Sequence, residues 1–204
     1  MFRPVSLRVF VHLAIFAALF SGCGAFKDSS SIKGRQEVRP FILNQNQFQI
    51  NVRYEVGAEP YVNRLSNGLA AWSITEMNLK ANLPQWISNV RVPFDLSEMT
   101  QINAFGRSQW SKEELEALAF KTQFSQDGLT NNTITVYYLN GSYVEKPKAI
   151  GLHFHGSSVV FVFKQVVRSL EGTLDSQTFT EQSAVVHEIG HAFGLVDGLS
   201  LIHI

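Results

Sequence analysis

From Phe48 to Tyr54 apolar and polar residues alternate, with Phe48, Ile50, Val52 and Tyr54 against Gln49, Asn51 and Arg53. A period of two predicts a half-buried strand, which Gly57 to Pro60 breaks. The period then lengthens. Trp72, Ile74, Met77, Leu79 and Leu83 suit a helix over Leu69 to Leu83, closed by Pro84. Val90 to Phe94 is a short apolar strand candidate. Ser111-Lys112-Glu113-Glu114 has capping-box spacing, and Leu115, Leu118 and Ala119 continue it as one face of an amphipathic helix. Thr133 to Tyr138 is β-branched and aromatic, and Asn140-Gly141 marks a tight turn after it. Ile150 to Phe154 and Val159 to Val167 predict two more strands around Gly156-Ser157-Ser158. A second capping-box spacing, Thr178-Phe179-Thr180-Glu181, predicts the start of a last helix that runs to Gly194. The expected class is α+β or mixed α/β, a mixed sheet packed by about three helices.

Composition narrows the function classes. With 204 residues, 45% hydrophobic and 17% charged, the chain has the balance of one globular domain. Lys+Arg and Asp+Glu number 17 each, so no bulk field favours nucleic acid as a partner.

The N-terminus reads as an address rather than as fold. Arg3 and Arg8 precede an apolar run from Val9 to Phe20, shorter than the about 20 residues a bilayer span needs. Leu19-Phe20-Ser21-Gly22-Cys23 follows, ending on the only cysteine, and resembles a bacterial lipobox. That resemblance implies a signal peptide over 1–22, lipidation at Cys23 and an exported, membrane-anchored lipoprotein. The alternative is a buried thiol inside an uncleaved anchor helix. Residues 23–39, rich in Ser, Lys and Gly, are expected to be a flexible tether, and 40–204 the domain.

The chemistry concentrates near the C-terminus. His187 and His191 lie four residues apart on the last predicted helix. Such residues share a face and stand about 6 Å apart along the axis, so two imidazoles can close on one Zn²⁺. Glu188, beside the first histidine, is placed to take a proton from a water in an open coordination position. Gly194 suits the left-handed end of the helix, and turning there would return Asp197 toward the metal as a candidate third ligand. Asp197 equally suits a turn or cap beside Gly198.

The string His187-Glu188-Ile189-Gly190-His191-Ala192-Phe193-Gly194-Leu195-Val196-Asp197 resembles the metzincin motif HExxHxxGxxH, with Asp in the last place. The resemblance implies a metzincin-like zinc metallopeptidase, cleaving peptide or protein substrates, with Glu188 as general base. It implies a mixed sheet followed by the zinc helix, and a substrate cleft along an edge strand, expected near Val159 to Phe163. Metzincins continue into a subdomain with a methionine turn, whereas the methionines here are at 1, 77 and 99. Leu199-Ser200-Leu201-Ile202-His203-Ile204 is unlike a domain ending, so the domain is expected to be incomplete there, with a further ligand beyond it or, if the tail is genuine, at His203. The rival readings are a non-catalytic surface lipoprotein with a structural or degenerate zinc site, and a zinc hydrolase of non-peptide amides. His153 and His155, two apart, could share one face of a strand as a metal pair, though exposed strand positions are the commoner case.

Overall fold

The computed structural model describes residues 46–83, 87–123 and 132–195. Cys23, Asp197 and His203, with the expected signal peptide over 1–22 and the expected tether over 23–39, lie outside those residues. The elements begin with β1 (Gln47–Glu55), α1 (Ala71–Asn82), β2 (Asn89–Arg91), β3 (Thr100–Ile102), β4 (Gln109–Trp110) and α2 (Lys112–Gln123). They continue with β5 (Thr133–Leu139), β6 (Ser142–Tyr143), β7 (Gly151–His153), β8 (Val159–Phe163), α3 (Lys164–Arg168) and α4 (Leu174–Ala192).

Six strands form one mixed sheet in the order β2-β1-β5-β8-β7, with β3 also paired to β1. All these pairings are parallel except β7–β8, so an antiparallel strand closes one edge. The sheet has a helical layer on each side. Phe48 meets Phe193 just past α4 at 5.1 Å between ring centroids, and Trp72 of α1 meets Tyr138 of β5 at 6.4 Å. On the opposite side, Thr122 of α2 and the Tyr137 hydroxyl of β5 share a hydrogen bond of 2.8 Å.

The alternation read in β1 holds, with Phe48, Ile50, Val52 and Tyr54 buried. The capping box of α2 forms in both directions. Ser111 N–H donates to Glu114 Oε2 at 3.0 Å, and Glu114 N–H donates to Ser111 Oγ at 3.3 Å.

Three expectations are corrected. Val159 to Phe163 is an inner strand, held between β5 and β7, and the edge is Gly151–His153. Every residue of β8 is buried, as expected of an apolar run covered on both faces of a parallel sheet. The apolar run does not stay extended to Val167. It turns into α3 at Lys164, where a buried ammonium finds Glu181, so the described α-helices number four where about three were expected. Finally, α4 starts one turn earlier than its capping-box spacing suggests. Thr173 is the N-cap, its Oγ1 accepting from Ser176 N–H at 3.3 Å. Thr178 and Glu181 are then interior helix residues, both fully buried.

The turn at Asn140-Gly141 requires its glycine. Gly141 has φ +84°, and a Cβ there would sit 2.4 Å from the Ser108 carbonyl oxygen. The chain leaves this turn to pair β6 with β4, not to return along β5. Among the described residues, no helix is long and apolar enough to cross a membrane.

Candidate metal centre

Helix α4 is wedged between α1 and the β7–β8 edge. Val185 and Ile189 are buried in the core, and Thr75 of α1 donates to Gln182 Oε1 at 2.7 Å. The helix ends in a Schellman arrangement: Leu195 N–H reaches Gly190 O at 2.9 Å and Gly194 N–H reaches His191 O at 3.0 Å. Gly194 takes φ +65°, the left-handed geometry expected of it.

This framework brings the two histidines together. Their Nε2 atoms are 3.1 Å apart and the rings stand at 82°. Two nitrogens bound to one tetrahedral zinc at about 2.05 Å each would be roughly 3.3 Å apart. The observed separation, a hydrogen-bond contact between the two rings, is within a few tenths of that value, so the spacing of the nitrogens is compatible with a shared zinc.

Glu188 faces the edge strand. It is fully buried, and neither carboxylate oxygen has a hydrogen-bond partner among the described residues. Burial alone holds its pKa well above the usual carboxylate value. The side chain lies where Gly151 of β7 leaves room, since a Cβ at Gly151 would come 2.8 Å from Glu188 Cγ. A buried carboxyl without a partner is costly, and a hydrogen-bond donor or a cation beside it would offset that cost.

Compared with family models, characterised proteins and solved structures, the chain matches none. The centre therefore rests on its own geometry and motif. Among the described residues, no group of three His, Cys, Asp or Glu side chains gathers as a metal site. Asp197, the candidate third ligand, lies outside those residues.

The other histidine pair separates. His155 is exposed in a turn, while His153 is buried on β7 with its Nε2 2.8 Å from the Ser157 carbonyl. That carbonyl can only accept, so Nε2 carries the proton. Burial pushes the His153 pKa down to about 4, the nearby His191 acting in the same direction. His153 is thus a neutral neighbour of the centre and not the exposed strand residue expected.

A buried ion pair missed by the sequence reading anchors the upstream half of α4. Glu181 pairs with Lys164 and accepts from Tyr61 N–H at 2.8 Å, while the Tyr61 hydroxyl donates to Gln177 at 2.9 Å. The available signal was spacing: Glu181 is seven residues before Glu188 and therefore on the same helix face.

Proposed function

We propose that the chain is a zinc-dependent endopeptidase of metzincin-like type, with His187 and His191 as ligands and Glu188 as general base. Asp197 is the proposed third ligand, and Cys23 the lipid attachment site of an exported, membrane-anchored bacterial lipoprotein. The observation that carries the reading is the conjunction at one helix turn of two converging imidazoles and a buried carboxylate with both oxygens unpartnered.

Zinc, when bound, supplies Lewis acidity toward a water and the scissile carbonyl. Glu188 takes the proton from the attacking water and delivers it to the departing amine. Gly151 leaves the room that the carboxylate occupies, and β7, whose residues are all buried, ends the sheet on this side among the described residues.

Gly151→Ala tests this arrangement. Its Cβ must displace Glu188, and misplacing a catalytic group by about 1 Å costs roughly 10²-fold in rate. Hydrolysis of a quenched fluorescent peptide mixture is expected to fall by that order, while zinc content and the circular dichroism spectrum stay unchanged. In the wild type, phenanthroline should stop the reaction and added zinc restore it. Activity indifferent to both the chelator and the substitution would refute the proposal.

The non-catalytic reading draws on one observation, that only two ligands gather among the described residues. In that reading the site is either degenerate, holding no zinc, or structural, with four protein ligands and no exchangeable water at the metal.

A further inference from the structure

The sheet carries a second concavity, on the α2 side and at the carboxyl ends of parallel strands β1, β3 and β5. A groove of about 590 Å³ opens there, with Arg53, Ile102, Phe105, Leu118, Lys121 and Tyr137 among its lining residues. This volume lies in the range of small-molecule sites, and the carboxyl ends of parallel strands are where open α/β sheets bind ligands. It is separate from the histidine pair, whose helix packs on the other face.

The rim is held rigidly. Buried Glu55, the last residue of β1, accepts from the backbone N–H groups of Phe105 and Asn140. Trp110 donates its indole N–H to Asn140 O at 2.8 Å and packs edge-on against Phe105 at 5.2 Å. Phe105 nevertheless remains 44% exposed, an aromatic ring presented at the mouth of the groove.

The charges inside are unequal. Arg107 is neutralised by Glu114 and stacks over Trp110. Among the described residues Arg53 and Lys121 have no carboxylate partner, and the Arg53 Nε–H, itself buried beneath the groove wall, has no acceptor. Arg53 sits in register beside Tyr137, whose hydroxyl is already engaged with Thr122. A half-buried guanidinium that lines the groove and has no carboxylate partner among the described residues, above apolar and aromatic walls, is what an organic carboxylate would pair with.

We propose that this groove binds a small organic anion, an aromatic or short acyl carboxylate, with its charged end on Arg53 and its apolar body against Phe105, Ile102 and Leu118. The site is independent of the peptidase reading.

Titration calorimetry of the full-length chain with 2-naphthoate and with neutral 2-naphthamide tests it. One naphthoate per chain is expected, bound about tenfold tighter than the amide. Arg53→Gln should erase that preference, and Ala117→Trp, at an exposed α2 position lining the groove, should block both probes. Equal affinity for the two probes, or wild-type binding by either variant, overturns the proposal; so does absence of heat with both. If Arg53→Gln does not fold, Ala117→Trp still decides the location and the naphthoate-to-naphthamide ratio still decides the charge.

Discussion

Glu188→Gln is expected to lower peptide hydrolysis by about 10²–10⁴-fold while leaving zinc bound. The amide keeps the volume of the side chain and its place against Gly151, so the site geometry survives. It loses the ability to take a proton from water, which is the role assigned to Glu188. Folding stability should hold or rise, because an amide costs less to bury than a carboxylate whose oxygens have no partners. The three readouts separate the explanations. A rate loss with zinc and stability retained marks a base. A parallel loss of zinc would instead mean that the carboxylate supports the metal site, and unchanged hydrolysis would remove Glu188 from the mechanism.

Lys164→Met should be the most damaging single change to stability among those considered. Both members of the Lys164–Glu181 pair are fully buried. Burial is the largest influence on each, raising the Glu181 pKa and lowering that of Lys164 against the pull of their attraction. Removing only the cation leaves Glu181 as a lone buried charge, for which about 3–5 kcal/mol is typical. The double variant Lys164→Met/Glu181→Gln should recover most of that loss, because Gln still accepts from Tyr61 N–H without burying a charge. Urea denaturation of the two variants gives the comparison. Equal destabilisation in both would mean that lost packing, not an orphaned charge, sets the effect.

Features encoded by local periodicity were legible before the structure. The strand β1 and the helices α1 and α2 follow from spacing two or 3.6 residues long, and the α2 capping box involves only neighbours. The His187–His191 pair belongs to the same class, since i and i+4 positions on a helix converge whatever packs around them. What escaped was set by contacts distant in sequence. The run Val159 to Val167 has no period, so its turn into α3 was invisible except through Lys164, an ammonium in an apolar stretch. Thr178 has the spacing of an N-cap, yet the helix begins after Thr173. Glu181 is instead an interior residue, its carboxylate engaged by Tyr61 N–H and Lys164, partners far from it in sequence.

The neighbours of the candidate centre show the same division. Gly151 makes room for Glu188 across a separation of 37 residues (188 − 151), which no motif announces. Arg53 read as the solvent side of a half-buried strand, and only the packing of α2 over that face turned it into the wall of a groove. The motif states which side chains meet; the sheet decides what surrounds them.

Zinc stoichiometry tests the central claim most directly. The full-length protein and its His187→Ala/His191→Ala variant, purified in parallel and dialysed against zinc-free buffer, would be analysed by elemental mass spectrometry. One zinc per wild-type chain and none in the double variant is the expected result. A wild-type protein without zinc, or equal zinc in both, would contradict a metal centre at His187 and His191.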